Sequence, residues 1–313
     1  METIENLIVE LTTLCNLKCI HCGYSLISPH QKIDKNYLVS IILILLDRGL
    51  QTVMFTGGEP TLYKDLPELV RFCKQHKLYV KIATNGSRFE SIDSLIKEGL
   101  LDEIVISVDA VSPETYKSIR GKDVLSHIYS FIEQHNQITN RIHLSFLIQR
   151  KNYKEIIPFL EYSKSLNVAK IALLAPHYDS DFTSTLEKNQ YRDNMFPNDE
   201  EAKELYSLIA PQLKCFYMKN TQLFKCSSKH IDALMEYMCN PDALYNFRTS
   251  ICSFPLKSLF LYSDGKVSLC PYYPSWKMAW ESLYDNIRSH RMQCILNGKE
   301  KNGYCRRCLE VPL

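Results

Sequence analysis

The sequence has no apolar stretch long enough to cross a membrane. Its longest apolar run, Tyr37 to Leu46, is about half a membrane span. Asp34, Lys35, Asp47 and Arg48 bracket it, so it reads as a buried amphipathic helix. The opening Met1-Glu-Thr-Ile-Glu-Asn lacks the basic-then-apolar pattern of a secretory signal. Net charge is also scarce: 37 Lys and Arg against 35 Asp and Glu leave +2. That balance makes no electrostatic case for nucleic acid or an acidic membrane surface as a partner. There is no internal repeat and no low-complexity tract. Without an export signal the expected compartment is the reducing cytoplasm, where cysteines serve more often as metal ligands than as disulfides. The twelve cysteines therefore require a metal explanation.

A chain of 313 residues can bury one large α/β domain, or a main domain and a smaller one. Short β-rich runs at Leu7–Thr12, Thr52–Phe55, Tyr79–Ala83, Glu103–Val108, Ile142–Ile148 and Lys170–Leu174 alternate with helical stretches. The latter lie near Lys35–Arg48, Asp65–His76, Phe89–Glu98, Val124–Asn136 and Tyr153–Ser165. Six such repeats predict a parallel sheet with right-handed crossovers, an incomplete (β/α)6 TIM-like barrel. Ligands in such folds sit at the C-terminal ends of strands. After Ala175-Pro176 the pattern changes. Tyr178–Pro197 is polar and reads as a connecting loop, and helical character returns over Asp199–Tyr217 and Lys229–Cys239. From Cys252 the chain reads as a small α+β module with a hairpin, Ser258–Tyr262 and Lys266–Leu269 around Ser263-Asp264-Gly265. The expected division is a barrel over 1–175, a helical linker over 176–250 and the module over 251–313.

Cys15-Asn-Leu-Lys-Cys19-Ile-His-Cys22 follows the first strand directly. Three thiolates so spaced can hold three irons of a cubane. A [4Fe–4S] cluster normally takes four cysteines, so the fourth iron would stay open to a non-protein ligand. On spacing alone, a zinc site with His21 as fourth ligand stays open as the alternative. Thr56-Gly57-Gly58-Glu59-Pro60 ends the second strand, where glycines let backbone approach a ligand and Glu59 offers a carboxylate to an ammonium.

With this triplet and this turn the sequence resembles the radical S-adenosylmethionine (SAM) superfamily, over about residues 5–175. The resemblance implies a SAM-binding [4Fe–4S] cluster on Cys15, Cys19 and Cys22, and His21 near the adenine of SAM. It implies Gly57, Gly58, Glu59 and Pro60 at the methionine amino group. Thr84 and Asn85 after the third strand, and Ser107 and Asp109 after the fourth, look like polar groups facing SAM or substrate. Arg120 looks like a partner for the SAM carboxylate. Ordinary turn chemistry is the alternative at each of these later positions. The implied reaction is reductive cleavage of SAM to a 5′-deoxyadenosyl radical that abstracts hydrogen from substrate, with flavodoxin or ferredoxin as reducing partner.

Cys252, Cys270, Cys305 and Cys308 could close a second four-ligand site, for which a structural zinc ribbon competes. Their arrangement is similar to the twitch or SPASM modules of radical SAM enzymes, which implies one auxiliary [4Fe–4S] cluster that relays electrons. Five cysteines remain: Cys73, Cys215, Cys226, Cys239 and Cys294. Free cysteine is an ordinary core residue; the sharper reading is that Cys215, Cys226 or Cys239 gives a thiol hydrogen to a substrate radical. Lys225, Lys229, His230, Arg248 and Lys257 read as a solvated face rather than a phosphate site. The expected substrate is a small biosynthetic metabolite (sugar, aminocyclitol or nucleoside), oxidised or epimerised at one carbon. A residue of a ribosomally made peptide is the alternative, and a zinc-stabilised, non-catalytic scaffold the third reading.

Overall fold

The structure, a computed structural model, describes residues 3–176, 188–241, 257–269 and 276–277. Strand β1 (Asn6–Thr12) is buried on both faces, and its period of two sorts the side chains. Leu7, Val9 and Leu11 join the main apolar core, while Ile8, Glu10 and Thr12 fall on the other, inner face. β2 (Thr52–Gly57), β3 (Tyr79–Thr84), β4 (Glu103–Ser107), β5 (Ile142–Leu147) and β6 (Lys170–Leu174) follow. They pair in sequence order, all parallel. The crossovers are α1 (Lys35–Leu46), α2 (Leu66–Gln75), α3 (Asp93–Lys97), α4 (Pro113–Arg120), α5 (Leu125–Gln134) and α6 (Ile156–Ser165). The sheet stays open, as expected of an incomplete TIM-like barrel. The run Tyr37–Leu46 is α1, with Leu38, Ile41, Ile42 and Leu45 buried and Leu43 and Ile44 exposed. Among the described residues no helix is long and apolar enough to cross a membrane.

Two helices depart from the sequence expectation. No apolar stripe announces α4, of which only Tyr116, Ile119 and Arg120 are buried. Its ends define it: Ser112 accepts from the Thr115 N–H, Pro113 stands at the first position and Gly121 closes it at φ 81°. The polar run expected to be a loop carries α7 (Lys188–Met195). Tyr191, Met195 and the following Phe196 are buried, so a few contacts seat a helix that is otherwise polar. α8 (Asp199–Glu204) starts at an Asn198–Glu201 capping box and runs through a π turn, Leu205–Ile209, into α9 (Ala210–Lys219). α10 (Ser228–Cys239) follows.

The expected hairpin is present as β7 (Ser258–Leu261) and β8 (Lys266–Ser268), with Gly265 at φ 81° and β9 (Trp276–Lys277) beyond. β7 runs parallel to β1, pairing Leu7 with Leu259 and Val9 with Leu261, so the hairpin extends the barrel sheet on the side away from β2.

At the N-terminal end of the sheet the inner face holds a buried charge cluster. Glu103 lies 2.8 Å from His143 Nδ1, 3.3 Å from Lys81 Nζ and 2.6 Å from Lys225 Nζ. Lys225 is therefore not on the solvated face that its sequence context suggests. Phe224 bridges to Ile171 at the edge of β6, and the Lys225 N–H donates to the Ile171 carbonyl (3.1 Å), which draws the side chain inward. The hydrogen bonds and charges of His143 and Lys225 hold Glu103 down to about 2, against its own burial. Burial in turn lowers Lys225, so the pair keeps only part of the Coulombic gain. A carboxylate depressed on folding stabilises the protein above its unfolded pKa and loses that contribution in acid. Glu103→Gln should thus cost about 2–3 kcal/mol near neutrality. In denaturant titrations this difference from wild type should shrink as pH falls from 4.5 to about 2.

Candidate active site

Beyond Thr12 the chain leaves the C-terminal edge of the sheet and carries Cys15, Cys19 and Cys22 on one loop, each partly exposed. Two backbone clamps hold that loop. On one side the Gly58 N–H donates to the Thr12 carbonyl (2.7 Å) and the Glu59 N–H to the Leu14 carbonyl (2.8 Å). A Cβ on Gly58 would lie 2.3 Å from the Leu14 oxygen, and one on Gly57, at φ +130°, 2.4 Å from the Thr12 oxygen. The space that these glycines leave is filled by the backbone just ahead of Cys15. On the other side the Lys18 N–H donates to the Arg120 carbonyl (3.2 Å) and the Ile20 N–H to the Ile119 carbonyl (2.9 Å). Gly121 lies against Lys18.

Glu59 is fully buried at the head of the short turn Pro60–Leu62, itself opened by buried Pro60. Its Oε1 accepts from the Thr61 N–H (3.1 Å), the Thr61 hydroxyl (2.6 Å) and the Thr84 hydroxyl (2.7 Å). Among the described residues its Oε2 accepts only from the Asn85 N–H (2.7 Å) and keeps a lone pair for a further donor. Burial raises the carboxyl above its usual range and these hydrogen bonds pull it back. Asn85 also reaches the cysteine loop, with Nδ2 3.0 Å from Asn16 Oδ1 and 3.7 Å from Cys15 Sγ. Ser107 is partly exposed and takes a long 3.4 Å contact from the Ser145 hydroxyl.

Beneath the loop, Asp109 is 1% exposed and holds three things together. Oδ1 accepts from the Leu147 N–H (2.9 Å); Oδ2 lies 2.5 Å from Arg120 Nη2 and 4.0 Å from His21 Nε2. The opposite nitrogen of His21 is 3.3 Å from Gln149 Nε2. Burial takes the ring down to about 4, so it is neutral at ordinary pH. Asn152 Nδ2 ties the Asp109 and Leu147 carbonyls, both at 2.8 Å. Sequence reasoning missed Gln149 and Asn152, although polar residues just past β5 stand where strand-end sites are sought. It also missed Glu10, buried in mid-strand. Glu10 accepts from the Tyr24 hydroxyl (2.6 Å), the Ser263 N–H (3.1 Å) and the Ser263 hydroxyl (2.5 Å), which ties the hairpin turn to the segment after Cys22.

The donor set suits a metal centre with three protein thiolates. Arg120 stays cationic through Asp109 and pulls all three thiols down, yet burial prevails. Cys19 is pushed up to about 12, and Cys15 and Cys22 are raised. The thiols are thus protonated in the metal-free chain, and metal loading releases protons. His21 is engaged with Gln149 and Asp109. Among the described residues no three His, Cys, Asp or Glu side chains converge on a single ion. Cys252, Cys270, Cys305 and Cys308 lie outside the described residues. Cys215 is exposed on α9, and Cys226 follows Lys225 at the opposite end of the sheet from the cysteine loop. The Cys239 thiol donates to the Ala202 carbonyl at 3.5 Å.

Two variants test this construction. Gly58→Ala should lower the iron-to-protein ratio after anaerobic reconstitution and gel filtration several-fold, with far-UV circular dichroism retained. Glu10→Ala removes the buried acceptor of the Tyr24 hydroxyl, the Ser263 N–H and the Ser263 hydroxyl and should cost about 1–3 kcal/mol in urea unfolding.

Residues 9–163 match the family model of the radical SAM superfamily. Curated relatives include a probable GTP 3′,8-cyclase of Sulfolobus acidocaldarius, 33% identical over 184 residues, covering 56% of this chain and 56% of the relative. Another, of Saccharolobus solfataricus, is 35% identical over 184 residues, covering 56% and 58%. The chain thus spans a little over half the length of these relatives. Among solved structures, anSMEcpe with bound AdoMet superposes with a TM-score of 0.70 at 17% identity, covering 97% of this chain and 86% of that one. Streptococcus suis SuiB bound to precursor peptide SuiA gives 0.67 at 16%, covering 92% and 67%. At these identities the likeness is one of fold.

Proposed function

Because the chain belongs to the radical SAM superfamily, we propose that it cleaves SAM reductively and abstracts hydrogen from a small metabolite. The carrying observation is the clamped loop of Cys15, Cys19 and Cys22 beside two buried groups with spare valence, Glu59 Oε2 and Arg120. Those three cysteines would hold a [4Fe–4S] cluster and leave one iron to the methionine end of SAM. When bound, the cluster supplies one electron to the sulfonium, which breaks the S–C5′ bond to give methionine and the 5′-deoxyadenosyl radical that takes a hydrogen atom from substrate.

The chain's own residues orient SAM. Glu59 Oε2 accepts from the methionine ammonium, with Gly57, Gly58 and Pro60 shaping the backbone beside it. Arg120 Nε has no hydrogen-bond partner among the described residues and is suited to the SAM carboxylate. Asp109 fixes the guanidinium for that task. His21, neutral and steadied by Gln149, faces the adenine. Thr84 and Asn85 hold Glu59 in place, and Ser107 offers a hydroxyl at the substrate side. Cys252, Cys270, Cys305 and Cys308 would carry an auxiliary [4Fe–4S] cluster that takes up or relays an electron.

Of sugar, aminocyclitol and nucleoside, the nucleoside class gains support from relatives named for a GTP reaction. A peptide substrate is the second reading. It is favoured by the fold shared with SuiB over most of the chain, in a structure that holds a precursor peptide.

Anaerobically reconstituted protein should release 5′-deoxyadenosine from SAM under dithionite, read by mass spectrometry. About eight irons per chain should fall to about four in the Cys15→Ala/Cys19→Ala/Cys22→Ala variant, with SAM cleavage abolished. Protein holding iron on the three cysteines yet unable to cleave SAM would end this reading. Deuterium carried into 5′-deoxyadenosine from labelled nucleoside or labelled peptide decides the substrate class.

A further inference from the structure

Cleavage as proposed above needs one electron delivered at the cysteine loop, and the surface beside that loop is charged for a particular donor. We infer that Lys18, Lys117 and Lys122 form the docking rim for an acidic one-electron carrier protein. The inference rests on the cluster reading of Cys15, Cys19 and Cys22. The three lysines are exposed and gather around one residue, Gly121. The Gly121 N–H donates to the Lys117 carbonyl (2.9 Å), and a Cβ at Gly121 would stand 3.3 Å from Lys18 Cβ; Lys122 is next in the chain. Lys151, its Nζ 3.4 Å from the carbonyl of Ser118, lies beyond the rim in a pocket it shares with Glu155, Glu200, Glu201 and Glu204, and is not part of it.

None of Lys18, Lys117 and Lys122 has an ion-pair partner among the described residues. Several lysines elsewhere on the surface are paired, Lys35 with Glu68, Lys97 with Asp93, Lys257 with Glu5 and Lys266 with Asp264; what sets Lys18, Lys117 and Lys122 apart is their convergence on Gly121 beside the cysteine loop. Two carboxylates stand near Lys18, Lys117 and Lys122 in the chain. Asp123 is turned to the start of α5, where its Oδ1 accepts from the Leu125 N–H (3.0 Å), and Glu114 sits at the far end of α4. The rim keeps an excess of positive charge within a chain that is otherwise almost neutral. Charge of one sign concentrated on a small patch steers an oppositely charged partner and mainly raises its on-rate. Position makes the patch useful: Lys18 precedes Cys19, so their Cα atoms are about 3.8 Å apart. A carrier seated on the rim therefore delivers its electron one residue from a cluster ligand.

The test follows reduction of the iron-loaded holoprotein by stopped flow, with photoreduced flavodoxin, an acidic one-electron carrier, and separately with dithionite. Wild type should be reduced by flavodoxin at a rate that falls steeply with ionic strength. Lys117→Glu/Lys122→Glu should lose at least tenfold in that rate at low salt and most of its salt dependence, with Lys18→Glu deepening the loss. Its reduction by dithionite should match wild type. Lys203→Glu, an exposed reversal on α8, should stay within twofold of wild type with either reductant. Flavodoxin reducing the double variant at the wild-type rate would overturn the docking rim alone. So would an equal loss in Lys203→Glu, since net charge would then explain the effect. Wild-type protein that neither reductant reduces would overturn the cluster reading and this inference with it.

Discussion

Everything at the site depends on two short backbone contacts against the cysteine loop. Residues Thr12–Leu14 lie against Gly57 and Gly58, and Lys18–Ile20 against the end of α4. Between the thiols only Leu17 is buried and Ile20 packs against the core, so the loop's own hydrogen-bonding groups must be met by neighbours. Glycine is needed at the first clamp because the chains meet within a distance that any Cβ would occupy. The second clamp uses carbonyls that a helix terminus leaves free. The cysteines therefore inherit their positions from β2 and α4, two rigid elements, rather than from the loop's own conformation.

The charged groups around this loop obey one economy. Glu59, Glu10 and Asp109 are each almost completely buried, and each joins at least two elements through its oxygens. Glu59 joins the ends of β2 and β3, Glu10 joins β1 to the hairpin turn, and Asp109 joins β5 to α4. A buried carboxylate survives only when fully hydrogen-bonded or paired, so each one fixes the relative placement of the elements that supply its partners. Precision at a strand-end site is obtained here from carboxylates, at positions where apolar packing would close the mouth of the sheet.

The strands were legible because their buried, β-branched runs are bounded by polar turns; Lys170–Leu174 is both the expected and the observed strand. The cysteine triplet and the turn at Gly57-Gly58 were legible because both are local in sequence. What escaped notice is held by few apolar contacts or by distant partners. Helix α7 rests on Tyr191, Met195 and Phe196 within a polar run, and α4 is defined by its caps. The inward turn of Lys225 depends on a bridge between Phe224 and Ile171, residues far apart in the chain. Glu10 meets Ser263 across 253 positions, and Gln149 meets His21 across 128. No periodicity in one segment can announce a partner so remote.

The pairing of β1 with β7 sets the order in which the protein can be completed during its synthesis. β1 emerges early, yet one of its edges has no partner until Ser258–Leu261 is made, about 250 residues later. At roughly 5–20 residues per second, that wait is on the order of ten to fifty seconds. Throughout it, β1 offers a free strand edge, a template for pairing with another chain. Glu10 meanwhile lacks the Ser263 donors that complete its buried network. The segment after Cys22 is thus made early, yet its tie through Tyr24 and Glu10 to the hairpin turn is completed only near the end of synthesis.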